Sequence, residues 1–231
     1  MKLIKFISRS TNYSRRDAEE LIKSEKIRVN DEIITQYSYS VDPASDTVYI
    51  GNEEINKREK KYFKFNKPKG YVCSKKDEFS KTIYDYLGRN YLYLNYVGRL
   101  DKDSEGLLIM TNDGDLQYKL THPSYEIKRE YKIHLNHKLK KEDQKKILNG
   151  IRDNGEILKA DSIKKINNKR YILSLHTGRK REIKRMIRNL GIRVLNLKRI
   201  KYANINIDNL ENGEIKKIDN KKINKLKDFL K

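Results

Sequence analysis

The amino-acid sequence predicts an α+β fold, in which a small N-terminal α/β unit precedes a larger domain with a mixed, mostly antiparallel sheet flanked by helices. Three observations lead to this prediction. Apolar residues near the N-terminus recur at helical spacing, whereas strand-like runs alternate with helical stripes from residue 61 onward. The connections between these runs have the length of hairpin loops. A segment rich in charge, residues 53–60, separates the two parts, so the predicted domains are 1–57 and 58–231.

The N-terminal unit is predicted to contain two short helices and a strand. Residues 3–7 place four apolar side chains on one helical face. Ser14 has the N-cap preference and Asp17 follows three residues later, close to a capping box, which predicts the start of the second helix. Its apolar face is Ala18, Leu21 and Ile22, and a strand over 26–29 ends in an Asn-Asp turn.

The larger domain is predicted from alternation and from apolar runs. Residues 107–110 are four apolar residues in a row, which is typical of a central strand buried on both faces. Turns are predicted at 66–70, from its proline and glycine, and at Asp113-Gly114. The other predicted elements are strands at 62–65, 131–135, 171–175 and 194–197, and helices around 139–148, 183–190 and 223–230, of which the first two end at Gly150 and Gly191.

The charge balance points to an anionic partner. The 231 residues carry a formal charge of +21, with 37% charged residues and a pI near 9.7, and the 16 tyrosines argue against disorder. Six of the 16 arginines lie between residues 178 and 202, where ten basic residues accompany a single acid, Glu182. Compositional drift does not cluster arginine, so this segment is predicted to be a nucleic-acid-binding surface. Arg15 and Arg16, which oppose the dipole of the second helix, suit the same role if they contact phosphate.

Several classes of protein are disfavoured by the sequence. Cys73 is the single cysteine, so no internal disulfide and no cysteine-based zinc site is expected. No apolar stretch of 18 residues exists, and the initial apolar run is too short for a signal sequence. We therefore expect a cytoplasmic protein without a membrane partner.

The most informative segment is an acidic loop, residues 98–106, that leads into the apolar run and then into Thr-Asn-Asp-Gly. One interpretation is a calcium loop, because the acids at 101, 103 and 105 and Gly106 match the first half of an EF-hand. This interpretation fails at the twelfth position, where Asn112 replaces the required glutamate. Another is a purely structural turn in which Arg99 pairs with Asp101. The third is a catalytic carboxylate.

The loop resembles the signature of the ribosomal-RNA pseudouridine synthases of the RsuA/RluB type. The resemblance lies in Gly-Arg-Leu-Asp at 98–101, Ser-Glu-Gly-Leu-Leu at 104–108 and Thr-Asn-Asp-Gly at 111–114. Asn66-Lys67-Pro68 resembles the first motif of the family, and residues 128–131 resemble the segment with its active-site tyrosine. Residues 178–199 resemble its last motif, and the N-terminal unit resembles an S4-type RNA-binding domain.

This resemblance implies an isomerase that converts a uridine of ribosomal RNA to pseudouridine. It implies that Asp101 is the nucleophile, that Tyr131 stacks on the flipped-out uracil, and that Lys184 pairs with Asp101, with Arg185 and Arg181 as alternatives for that pairing. The overall reaction exchanges one bond for another within the nucleotide, so we expect no cofactor and no metal. The expected state is a monomer.

The remaining site residues fall into two groups. The predicted RNA-binding arginines are Arg15, Arg16, Arg99, Arg179, Arg181, Arg185, Arg188 and Arg199. The residues expected to support the motifs are Asn66, Lys67, Pro68, Gly98, Leu100 and Gly106.

Two other functions compete with this one. A non-enzymatic RNA-binding or ribosome-assembly factor accounts for the charge but not for a carboxylate-rich loop, which repels RNA. A metal-dependent nuclease requires clustered carboxylates that the sequence lacks outside this loop. The RNA subunit stays open: residues 70–74 and Lys184 resemble enzymes acting on the small subunit, whereas residues 120–123 resemble enzymes acting on the large subunit.

Overall fold

The computed structural model describes residues 1–230 and has the predicted mixed α+β architecture; residue 231, the last of the predicted second domain, lies outside the described residues. The N-terminal part contains helices α1 (Leu3–Ser10) and α2 (Arg15–Lys23). They pack on a four-stranded antiparallel sheet in the order β2-β1-β3-β4. Its strands are β1 (Ile27–Val29), β2 (Glu32–Ile33), β3 (Val48–Ile50) and β4 (Glu53–Glu54).

The start of α2 follows from its sequence. The Ser14 hydroxyl accepts a hydrogen bond from the Asp17 amide, and the Asp17 carboxylate accepts one from the Ser14 amide, so the predicted capping box is confirmed. These hydrogen bonds, first that of the Ser14 amide, hold the pKa of Asp17 below its usual value. Ala18 and Ile22 are buried against the small sheet.

The larger part is built on a mixed sheet of nine strands. They are β5 (Tyr62–Lys67), β6 (Asn95–Val97), β7 (Glu105–Thr111), β8 (Arg129–Leu135), β11 (Ser162–Lys165), β12 (Arg170–Leu175), β13 (Val194–Tyr202), β14 (Ile205–Asn206) and β15 (Ile215–Lys217). The path of the sheet is β11-β12-β8-β13-β7-β5-β15, and β14 and β6 pair with β13 and β7. All neighbours are antiparallel except β7 and β13, which are parallel. Two further strands, β9 (Ile151–Asp153) and β10 (Glu156–Leu158), form a separate hairpin.

Five helices flank this sheet, and its core divides into clusters on the two faces. Residues 107–110 are fully buried at the centre of the sheet, as the apolar run predicts. No helix within residues 1–230 is long and apolar enough to span a membrane. The helices are α3 (Ile83–Leu87), α4 (Gly114–Thr121), α5 (Lys141–Asn149), α6 (Glu182–Arg188) and α7 (Asn220–Phe229), and short 3₁₀ turns cover Arg89–Tyr91 and Pro123–Tyr125.

Three predictions at the element level are corrected by the structure. Asp113-Gly114 is not a hairpin turn, because the Asp113 carboxylate accepts hydrogen bonds from the amides of Asp115 and Leu116 and caps α4. The segment 53–60 is not wholly a linker, since its first two residues form β4. The strand predicted at 194–197 continues to Tyr202 because it pairs with β8 and β7 over that length.

The two parts of the molecule touch through α1 and α4. Lys5 Nζ lies 3.2 Å and Arg9 Nη2 lies 3.0 Å from Asp115 Oδ1. The hydrogen bond from Arg9, followed by that from Lys5, lowers the pKa of Asp115 to about 2. A second contact joins Arg58 Nη1 to Asn12 Oδ1 at 3.0 Å. The N-terminal part is therefore docked beside the first turn of α4.

Candidate active site

The acidic loop connects β6 to β7, and at its end the backbone passes close to that of β13. Gly106 has φ +108°, and a Cβ there would lie 2.7 Å from the Arg199 amide nitrogen and still closer to its carbonyl oxygen. Only glycine therefore fits where β7 runs parallel to β13. Gly98, at the other end of the loop, has φ +66° and packs against the Tyr202 hydroxyl.

Lys67 fixes the acidic loop by hydrogen bonds to backbone carbonyl oxygens. Its side chain is fully buried, and its Nζ donates to the carbonyl oxygens of Pro68 at 2.9 Å, Asp101 at 3.2 Å and Ser104 at 2.9 Å. Burial lowers the pKa of Lys67. Asn66 is buried beside it and donates to the Leu210 carbonyl at 2.8 Å. The Asn-Lys-Pro motif thus anchors the acidic loop to the sheet.

A single lysine is shared by the acids of the loop. Lys184 Nζ, from α6, lies 3.1 Å from Asp101 Oδ2, 2.5 Å from Asp103 Oδ1 and 2.9 Å from Ser104 Oγ. Its side chain is 14% exposed, against 34% for Asp101 and 61% for Asp103. Partial burial raises the pKa of Asp103, but the hydrogen bond and charge of Lys184 outweigh this effect and the net shift is downward. The arrangement leaves Asp101 as the more enclosed carboxylate, with a cation beside it.

Asp101 and Tyr131 line one cleft of about 970 Å³. Tyr131 is half-buried on β8, opposite Arg199 of β13, and packs against apolar clusters on both sides of it. Leu100 is buried, and its amide donates to the Cys73 Sγ at 3.4 Å. The cleft has the size of a ligand site for a small molecule or a nucleotide.

Two buried arginines form the floor of this cleft, and both contact the Tyr202 ring. Their Cζ atoms lie 4.8 Å (Arg129) and 5.0 Å (Arg199) from the ring centroid. Arg129 donates to the carbonyl oxygens of Leu120, His176 and Thr177, and Arg199 Nε donates to Leu107 O at 2.7 Å.

Neither of these arginines contacts a carboxylate within residues 1–230, and Arg199 Nη2 is buried without a hydrogen-bond partner. The cleft floor therefore carries two positive charges whose screening by solvent is weak. Arg129 was missed as a site residue, although it lies in the segment 128–131 that carries Tyr131. The sequence signal for it was its position at the start of a strand in which apolar and polar residues alternate, where Arg129 takes a position of the apolar set.

The structure separates the predicted RNA-binding arginines into three groups. Arg15 and Arg16 are exposed on α2 and form no salt bridge within the described chain, and Arg99 is likewise exposed on the cleft wall. The exposed arginines of the last motif, Arg179, Arg181 and Arg188, form salt bridges with Glu156, Asp103 and Asp153, at 3.8, 3.8 and 4.0 Å.

The third group is held inside the protein. Arg185 binds Asp153 at 2.5 Å and Glu156 at 2.7 Å, so its guanidinium braces α6 against the β9–β10 hairpin. Because its partners are these two acids, and Lys184 is the residue that pairs with Asp101, Arg185 is corrected as an alternative partner of that carboxylate. Arg199 is 1% exposed because β13 is an inner strand of the sheet, so a phosphate on the surface is out of its reach.

Known proteins resemble this chain along its whole length. Residues 61–189 match the RNA pseudouridylate synthase family, and residues 1–48 match the S4 domain. The ribosomal large subunit pseudouridine synthase B of Bacillus subtilis (strain 168) is 32% identical over 233 residues, which cover 98% of this chain and 95% of the relative. The ribosomal small subunit pseudouridine synthase A of Yersinia pestis is 29% identical, over 96% of this chain and 97% of its own.

A solved structure agrees with these similarities. A crystal structure described as a pseudouridylate synthase matches with a TM-score of 0.71 and 30% identity, covering 98% of this chain and 99% of that one. The similarity extends over both parts of the molecule.

Proposed function

Because the chain belongs to the RNA pseudouridylate synthase family, whose members are isomerases, and carries an S4 domain, we propose that it converts a uridine of ribosomal RNA to pseudouridine with Asp101 as the nucleophile. The observation that carries the assignment of Asp101 is its position in the cleft, with Lys184 at 3.1 Å.

The proposed reaction breaks the bond between N1 of uracil and C1′, turns the base, and joins C5 to C1′. The proton on C5 is released, and N1 takes up a proton, so no electron or group is gained. Asp101 attacks as a carboxylate, either at C1′, where it displaces N1, or at C6 of the uracil. In either case the bond to Asp101 breaks again before the product leaves, which regenerates the carboxylate. Lys184 donates to the Asp101 carboxylate and to the Ser104 hydroxyl, and these two hydrogen bonds hold the loop in one orientation.

The target base has to leave its stack to reach Asp101, because the carboxylate lies inside the cleft. Tyr131 is proposed to receive the uracil on its ring, since it lines the same cleft and is only partly buried. Its hydroxyl is the proposed group for moving the C5 proton. Arg129 and Arg199 line the cleft and add positive potential to it, which favours the anionic RNA backbone without contact between Arg199 and a phosphate.

Tritium release tests the role of Asp101. We expect the purified protein, without added metal, to release tritium from ribosomal RNA labelled at C5 of uridine, when the RNA comes from cells that lack the gene. Asp101→Asn is expected to lower this release below detection while RNA binding persists, because the amide is not a nucleophile.

Asp103→Asn is the matched control, since Asp103 shares the same lysine but is 61% exposed. Its rate is expected to stay within about fivefold of the wild type, the effect of an exposed ion pair. If Asp101→Asn isomerises uridine at the wild-type rate, the nucleophile is another group. Mapping pseudouridines in both ribosomal RNAs, from cells with and without the gene, identifies the subunit.

A further inference from the structure

Helix α4 links the docked N-terminal part to the cleft. Asp115 in its first turn binds Lys5 and Arg9 of α1. At its other end, Thr121 and the residues that follow line the cleft that contains Asp101. An RNA strand that touches both the S4 domain and the cleft therefore has the exposed side of α4 between its two contacts.

Aromatic rings cluster at the cleft end of α4. The rings of Tyr118 and His122 lie 4.8 Å apart between centroids with an interplanar angle of 35°. Tyr125 meets both of them edge-on, at 6.4 Å. Tyr118 is 55% exposed, and His122 is exposed and lines the cleft. Tyr118 and His122 form a contiguous exposed pair of rings where α4 meets the cleft, and a contiguous patch at such a place is a candidate binding surface.

The rings are held in place before any ligand arrives. His122 Nδ1 lies 2.8 Å from Ser124 Oγ and accepts from the Ser124 amide at 3.4 Å, so this ring caps the 3₁₀ turn that follows α4. The Tyr125 ring lies 6.0 Å from Lys119 Nζ. Binding to rings that are already oriented costs little side-chain entropy.

The surroundings of the rings favour an anionic polymer. Lys119 belongs to the same helix, Lys128 is exposed three residues after Tyr125, and Arg129 lines the cleft, so these cations outnumber the exposed Glu126 of the same segment. Asp115, the acid in the first turn of α4, is already neutralised by two cations of α1. A single-stranded nucleic acid offers both flat rings and negative charge.

We infer that the Tyr118–His122 ring pair is a stacking site for one unpaired base of the substrate RNA, on the strand that flanks the target uridine. This inference rests on the proposed function, because it assumes an RNA substrate in the cleft. Every base has a π-face, so the site would add affinity and position without selecting the base. The site is continuous with the cleft and does not overlap the groups assigned to the reaction.

The test uses single-stranded RNA nonamers with a central uridine and 2-aminopurine at one of the flanking positions. We expect the wild type to quench the fluorescence of at least one of these probes, since stacking on an aromatic ring quenches it. Tyr118→Ala is expected to remove that quenching and to weaken binding about tenfold, within the range for loss of a base–aromatic stack. Tyr118→Phe keeps the ring and is expected to bind within about twofold of the wild type.

Phe229→Ala is the matched control, because Phe229 is 72% exposed and is not part of the cleft wall. In the tritium-release assay on ribosomal RNA, Tyr118→Ala should raise KM about tenfold and leave kcat unchanged. The inference is overturned if Tyr118→Ala binds and quenches like the wild type, or if an active wild type quenches none of the probes. Absence of tritium release from the wild type contradicts the proposed function instead, and that assay is independent of the fluorescence.

Discussion

The two arginine-rich regions of this chain are used in opposite ways. In the last motif, where arginine is densest in sequence, Arg185 binds two acids and Arg199 is buried. In the first turn of α2, Arg15 and Arg16 are exposed and free of salt bridges within residues 1–230. The comparison teaches that clustering of charge along a sequence does not identify the residues that contact RNA. Arg185 and Arg199 of the cluster organise the protein, whereas the pair on α2 is exposed and without a salt bridge within residues 1–230, as is Arg99.

The largest expected effect in this comparison is that of replacing Arg199, the buried arginine of the last motif. Arg199→Met keeps most of the side-chain volume but removes the hydrogen bonds to the carbonyls of Leu107 and Arg99 that support the acidic loop. Misplacement of that loop is expected to lower kcat on the order of 100-fold while KM changes little. Steady-state tritium release from ribosomal RNA measures both constants.

The same variant is expected to stay folded. Methionine leaves two carbonyls without a donor, but it also removes a buried charge that has no counter-ion, so the free energy of unfolding should change by less than about 2 kcal/mol. Arg199→Lys, which restores the charge, should recover part of kcat. An unchanged kcat in Arg199→Met would show that Arg199 acts only in packing.

The middle-sized effect separates the two regions directly. Arg15→Ala with Arg16→Ala is expected to reduce the slope of log affinity against log salt by about 1.4, the value for two lost phosphate contacts with single-stranded RNA. The thermal midpoint should not change, because both side chains are exposed. Binding of labelled RNA at several salt concentrations gives the slope.

Arg185→Ala is the counterpart in the last motif. It should leave the salt slope unchanged and lower the thermal midpoint. The hydrogen bonds from Asn189 and then from Arg185 hold the pKa of Asp153 below its usual value, and the variant loses the second of them. The opposite result, a reduced slope for Arg185→Ala and none for the α2 pair, would reverse the comparison.

The smallest effect lies at the contact between the two parts. The folded pKa of Asp115, about 2, is below its ordinary value of 3.8, so the ion pairs with Lys5 and Arg9 stabilise the fold above that ordinary value. This contribution is lost as pH falls from about 4 toward 2. Because Asp115 is 61% exposed, the contribution should stay below about 1 kcal/mol.

Urea unfolding of the wild type and Asp115→Asn, measured at steps from pH 6 downward, tests this point. The variant should be slightly less stable at pH 6, and the difference should shrink as the wild-type carboxylate is protonated. A difference that grows toward low pH would contradict the assignment of these ion pairs.

The sequence by itself determined the elements whose causes are local, and it also identified the family. The Ser14–Asp17 cap depends on two residues three positions apart, and the burial of residues 107–110 follows from an uninterrupted apolar run. The contiguous motif around Asp101 was sufficient for the resemblance that the comparisons confirm. The cap of α4 at Asp113 was missed because Asp-Gly is equally compatible with a turn.

Only the tertiary structure decided which side chains meet and which face solvent. The pairing of Lys184 with Asp101, 83 positions apart, was expected only from the resemblance to a family, and Arg199 is buried because β13 lies between β7 and β8. The exposed Tyr118 ring is likewise of interest only because its neighbour His122 lines the cleft. These relations depend on sheet register and on the parallel pairing of β7 with β13, which are cooperative properties of the whole fold and leave no local pattern in the chain.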